Sequence, residues 1–192
     1  NTDPASKSVG MLANTGSATN KGTIEMLGGA SAGMQGLGGA TITNDATTGI
    51  IKIKGDASAG IYTKNSNSSN AGTINVESNK SAGIFAKISD AASRTITNTG
   101  KIELKGTGKT KSAGMYVEHS KATNKKTILI EGKASAGIYA KLSEATGGTA
   151  LGANQGTDAV ITMKKEGSAG MLGEVKSTVT AASTLTLTNS GN

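Results

Sequence analysis

The tetrapeptide Ser-Ala-Gly-(Ile/Met) returns along this chain at Ser31–Met34, Ser58–Ile61, Ser81–Ile84, Ser112–Met115, Ser135–Ile138 and Ser168–Met171, with Ser8-Val9-Gly10-Met11 as a seventh, degenerate copy. Its glycines stand at 10, 33, 60, 83, 114, 137 and 170, so successive gaps are 23, 27, 23, 31, 23 and 33 residues. Self-similarity at such a period restricts the fold to an architecture in which equivalent units stack and each unit contacts only its neighbours.

A second element lies between the copies: Asn20–Met26, Asn70–Val76, Asn98–Leu104 and, more loosely, Asn124–Ile130. Asn44–Ile53 and Asn154–Met163 carry the same pattern with three residues inserted. Ile24/Met26, Ile51/Ile53, Ile74/Val76, Ile102/Leu104, Ile128/Ile130 and Ile161/Met163 alternate with Glu25, Lys52, Asn75, Glu103, Leu129 and Thr162. That is the period-2 signature of a half-buried strand. A third short strand is expected before the Asn corner, as in Thr41–Asn44 and Arg94–Asn98. No segment has sustained helical periodicity. Two or three strands per unit, repeated in register, predict an all-β parallel β-helix of about seven coils. At about 4.8 Å per coil it forms a rod of roughly 30 Å.

Comparison of the copies assigns inside and outside. The position after the glycine is always apolar (Met11, Met34, Ile61, Ile84, Met115, Ile138, Met171), and the next holds Leu12, Gln35, Tyr62, Phe85, Tyr116, Tyr139 and Leu172. The uniform column is expected to face inward. Ser, Gly and the Tyr/Phe column are then expected outside, with Lys64, Lys87 and Lys141 two residues further on.

Composition agrees with a long, thin core. The chain has no Trp, one Phe and three Tyr among 192 residues, so burial has to come from small and β-branched side chains. The regular supply of Ile, Val, Met and Leu argues against disorder despite abundant Gly, Ser, Thr and Asn. Absence of Cys excludes a disulfide framework and a Cys-ligated metal. The formal charge of +7 rests almost wholly on Lys, Arg94 being the only Arg. Without clustered Arg or interleaved aromatics this reads as a solvated basic surface and not as a nucleic-acid interface. No run approaches the roughly 18 apolar residues of a membrane helix, so no direct membrane insertion is expected. Asn1–Gly10 lacks the apolar core of a signal peptide. The chain is expected to be residues 1–192 of a longer molecule, without an internal domain boundary.

Several features compete for function. Tyr62, Phe85, Tyr116 and Tyr139 fall on four consecutive coils and include every aromatic in the chain. With Lys64, Lys87 and Lys141 beside them they are the candidate binding residues, a platform for a sugar or a partner loop. The competing reading is structural, that the stacked aromatics stabilise the sheet or lie covered by a neighbouring loop. The Asn column (Asn20, Asn44, Asn70, Asn98, Asn124, Asn154, Asn189) is read as structural, because Asn suits corners and stacked amides bond to one another. Longer loops within 89–93, 143–152 and 176–182 are expected to leave one corner of the rod, where insertions form binding faces or simple decoration. Catalysis has poor support: His119 is the only His, Glu118 beside it points to the opposite strand face, and Asp3, Asp45, Asp56, Asp90 and Asp158 are scattered over different repeat positions. Neither a catalytic residue, a metal nor a cofactor is expected.

Asn-x-Gly-x-Ile-x-(Val/Leu/Met) followed by Ser-Ala-Gly-(Ile/Met)-(Tyr/Phe)-(Ala/Val)-Lys resembles the repeats in passengers of fusobacterial autotransporter (type V secretion) adhesins, from Ser8 to Asn192. The resemblance implies a right-handed parallel β-helix outside a Gram-negative cell, carried by an outer-membrane barrel. It further implies a virulence-related role in adhesion to a host cell-surface receptor or glycan, or to partner bacteria. The alternatives are a passive spacer whose recognition lies elsewhere in the parent, and a polysaccharide-acting β-helix enzyme.

Overall fold

The computed structural model describes residues 8–89, 94–105, 111–143, 149–176 and 183–191, and among these it is all-β. The first coil consists of β1 (Ser8–Asn14), β2 (Ser17–Asn20) and β3 (Thr23–Met26), the second of β4 (Ser31–Leu37), β5 (Thr41–Asn44) and β6 (Ile50–Ile53). The third has β7 (Ala59–Lys64), β8 (Asn67–Asn70) and β9 (Thr73–Val76), the fourth β10 (Ala82–Lys87), β11 (Thr95–Asn98) and β12 (Lys101–Leu104). Then come β13 (Ala113–Glu118), β14 (Lys121–Asn124) and β15 (Thr127–Ile130), followed by β16 (Ala136–Leu142), β17 (Thr149–Gly156) and β18 (Val160–Met163). The seventh coil contributes β19 (Ala169–Val175) and β20 (Thr184–Gly191).

Each strand pairs in parallel with its equivalents one coil before and after. The result is two seven-stranded sheets, β1-β4-β7-β10-β13-β16-β19 and β2-β5-β8-β11-β14-β17-β20, and a six-stranded sheet from β3 to β18. The parallel β-solenoid foreseen from the repeat is therefore what the chain forms. The three-strand unit is also as expected, except that the loop expected across 143–152 gives way at Thr149 to β17. Residues 90–93, 144–148 and 177–182, which hold most of the long-loop expectation, lie outside the described residues.

One continuous core runs along the axis. Met34, Ile61, Ile84, Met115 and Ile138 of the first sheet meet Ile51, Ile74, Ile102 and Ile128 of the third, all fully buried. The Asn column is a second axial structure: Nδ2 of Asn20 donates to Oδ1 of Asn44 at 2.9 Å, and the chain of amides continues through Asn70, Asn98, Asn124 and Asn154 to Asn189. The same amides donate to local carbonyls, as from Asn98 to Gly100 at 3.2 Å. A buried amide is thereby satisfied by its own corner and by the next coil.

The inside-outside assignment of Ser and Gly needs correction. Pairing passes from Ala32↔Ala59 to Met34↔Ile61 without a glycine pair. Gly and Met both face inward there, and the strand bends between them. A Cβ on Gly33 would stand 2.6 Å from Cγ2 of core Ile51 and 2.7 Å from the Gly60 carbonyl oxygen. The Gly column is thus the floor on which the third sheet's isoleucines rest, and it is the Ala column that turns outward toward the rings. The serines are not exposed either. Ser31, Ser58, Ser81, Ser112 and Ser135 are all buried. Each hydroxyl from Ser58 to Ser168 accepts the N–H of the preceding coil's serine at 3.0–3.4 Å. Ser58, Ser81 and Ser135 also donate to the carbonyl two residues earlier.

Candidate functional site

The bend at each glycine draws the Ala column and the aromatic column together on the outer side of the first sheet. Just before each Ser the backbone turns through a left-handed conformation, at Ala30, Ala57, Lys80, Lys111, Ala134 and Gly167 (φ 48 to 71°). These corners stack into a ridge opposite the rings. Between ridge and rings lies a groove of about 680 Å³, running along the axis from Ala57 to Leu172. Its floor is Ala82, Ala113, Ala136 and the adjoining serines, and its aromatic wall is Phe85, Tyr116 and Tyr139. Lys80 and Lys111 stand exposed on the ridge.

The aromatic residues occupy the outer side expected of them, but they are not laid open as a platform. Tyr62 and Phe85 stack at 5.5 Å and 20°, and Phe85 and Tyr116 at 4.6 Å and 5°. Tyr139 meets Tyr116 edge to face at 4.9 Å. Because the stacking direction is the rod axis, the ring faces of Tyr62, Phe85 and Tyr116 cover one another, and the edges of Phe85 and Tyr116 turn toward the groove. Tyr62 is only 3% exposed and Tyr116 9%. Tyr139 is half-buried, and its hydroxyl donates to Oε2 of Glu174.

The lysines beyond the rings separate into different environments. Lys64, Lys87, Glu118, Lys141 and Glu174 form one register column of mixed sign. Lys64 is exposed, whereas Lys87 Nζ lies 4.0 Å from Glu118. Lys141, expected outside, is only 5% exposed and bridges to Glu174 at 3.1 Å. Burial pushes its ammonium below the ordinary Lys value, the Lys176 charge adds to that, and the Glu118 carboxylate opposes it. Lys141 is thus a structural ion-pair member, and only Lys64 of the three offers an exposed charge.

His119 sits at a left-handed turn (φ 51°), half-buried, where Nε2 accepts the Ser143 N–H at 3.1 Å. It supports a turn. Among the described residues no three His, Cys, Asp or Glu come close enough to hold a metal ion. No helix among them is long and apolar enough to cross a membrane. What sequence reasoning missed is the groove and its ridge lysines. The signal was the position before each Ser, which varies between Ala, Lys and Gly beside an otherwise fixed motif.

A family model for the BigA third pectate lyase-like domain matches residues 46–156, more than half of the chain. The match runs from the corner after β5 to the last residue of β17, and so holds the strands β6 to β17. No curated protein and no solved structure matches the chain. The match supports the autotransporter passenger-like character that the repeats resemble, though not the fusobacterial group in particular. On the strength of that match, the chain belongs to the BigA third pectate lyase-like domain family.

Proposed function

We propose that this chain is a segment of a bacterial cell-surface adhesin passenger, which attaches the parent cell to host cells or to other bacteria and contributes contacts of its own. The observation that carries this reading is the family match over β6 to β17, the same coils that hold most of the groove. In this reading residues 1–192 are one uninterrupted stretch of a longer solenoid, exported by type V secretion and held by an outer-membrane barrel. The partner is a receptor or glycan on a host cell, or a neighbouring bacterium. Insertions and grooves on one face of a solenoid are where such proteins bind, because the repeat itself is committed to stacking.

A passive spacer is the second reading, and the Asn and Ser ladders favour it: a satisfied axial network from Asn20 to Asn189 is what a rod needs whether or not it binds. Beads coated with the chain separate the two. Saturable attachment to epithelial cells or bacteria, competed by soluble chain, supports the adhesin; no attachment with a folded chain leaves the spacer. Release of reducing ends from polysaccharides by the purified chain would replace both with an enzyme.

A further inference from the structure

We propose that the outer groove binds a linear polyanionic glycan lying parallel to the rod axis, with its charged groups against Lys80 and Lys111. The inference deepens the adhesin reading and rests on it, since it takes the segment itself to make contact. Four observations converge. The floor is made of Ala methyls, and its serine hydroxyls are committed. Ser81 and Ser135 accept from the preceding coil's serine and donate to the carbonyls of Asn79 and Lys133. Ser112 accepts from Ser81 and donates to the Ser78 carbonyl. An apolar floor of this kind accepts the C–H face of a pyranose and supplies no competing polar readout. At Phe85 and Tyr116 the wall presents ring edges, because these two rings stack face to face, while Tyr139 stands perpendicular to Tyr116 with its hydroxyl given to Glu174. An aromatic ring is positive at its edge and negative at its face, so the stacking turns the electropositive edges of Phe85 and Tyr116 to the groove. The ridge adds two exposed ammonium groups on successive coils. Floor, wall and ridge therefore favour a ligand with apolar ring faces and anionic substituents.

Spacing selects among anionic polymers. Equivalent groups recur along the groove at about 4.8 Å, the distance between paired strands. An extended peptide presents side chains to one side every second residue, about 6.6 Å apart, and falls out of step within two coils. A pyranose linked through opposite ring positions advances by close to one coil, so successive sugars meet successive copies of the same site.

The test is binding of size-defined polymannuronate and heparin oligosaccharides, both linked through opposite ring positions and charged by carboxylate alone and mainly by sulfate, with neutral dextran and poly-L-glutamate as comparators. Saturable binding of at least one charged glycan is expected, weakened tenfold or more by Lys80→Glu with Lys111→Glu. Lys121→Glu with Lys125→Glu makes the same charge change on exposed lysines away from the groove and is expected to stay within twofold. Circular dichroism and thermal midpoint establish that each variant is folded, and Lys80→Met with Lys111→Met serves if the charge reversal is not. Equal loss in both double variants overturns the site in favour of diffuse charge, as does dextran binding as well as the charged glycans. Poly-L-glutamate binding with the same dependence on Lys80 and Lys111 makes the occupant an acidic peptide. Cell attachment by coated beads without glycan binding sinks this inference and leaves the adhesin reading standing; loss of both removes the adhesin reading too.

Discussion

Gly114 has no side chain because its neighbours leave no room for one: a Cβ there would lie 2.6 Å from Cγ2 of Ile128 and 2.7 Å from the Gly137 carbonyl oxygen. The carbonyl belongs to the next coil's backbone and cannot swing aside as a flexible side chain could. Gly114→Ala is expected to cost roughly 1–3 kcal/mol as an overpacked core, whereas Ala113→Ser, one residue earlier and turned to the groove, stays within about 1 kcal/mol. Urea unfolding of the two variants checks the pair, and the reverse ranking would restore the outward glycine that the repeat alone implies. A strict period of two places Gly opposite Met, and the columns of both are invariant enough to hide a bend that puts two consecutive residues inside. The apolar column after each glycine was legible because only burial explains seven aliphatic side chains at one position. The Asn ladder was legible for a related reason, since an amide is the side chain that can both donate and accept along an axis. The serines were not, because a small polar residue reads equally as surface or as a buried hydroxyl bonded to backbone on two sides.

At the scale of a strand and its neighbours, side chains form columns, and a column tests whether adjacent residues suit each other. The stacked rings and the mixed-sign column beside them are of this kind. The identity of both was in the sequence, but the burial of Tyr62, Tyr116 and Lys141 was not. It depends on what the adjoining coil places against them, at separations of 23 to 33 residues. On the third sheet, Glu103 of β12 is bridged by Lys101 at 2.6 Å and Lys105 at 3.1 Å. Burial alone would raise its carboxyl, but the hydrogen bonds and charges of the two lysines outweigh burial and hold it below the ordinary value. A carboxylate with a depressed folded pKa stabilises the protein above its unfolded pKa of about 4.3, and that contribution is lost as pH falls through the lower folded value. Glu103→Gln is therefore expected to be less stable than the parent at neutral pH and to lose less stability on acidification. Thermal midpoints measured from pH 7 to 2 follow it, and parallel curves for the two proteins would mean the bridges contribute nothing.

For the whole molecule, stability is close to a sum over coils and their interfaces. Residues 60–82 span one short repeat, and their deletion joins Ala59 to Gly83 and brings Asn44 against Asn98 in place of Asn70. The shortened chain is expected to keep its β circular dichroism, to shorten by about 4.8 Å and to unfold at a lower urea concentration. Collapse of the fold would show instead that the coils are not interchangeable. The solenoid as a whole was the most legible level, because a motif repeated seven times leaves few other ways to bury its apolar face. The groove was the least, because it arises from the bend at glycine and the left-handed corner together, and neither alone marks a site. The backbone bonds between coils run along the rod, so tension applied end to end loads them one layer at a time and not all together in shear. Under force the molecule should yield coil by coil, each release feeding out 23 to 33 residues, roughly 80–110 Å of chain. Single-molecule pulling would show a sawtooth with those alternating increments. A load carried through such a rod would meet a shock absorber and be spent in small repeated slips.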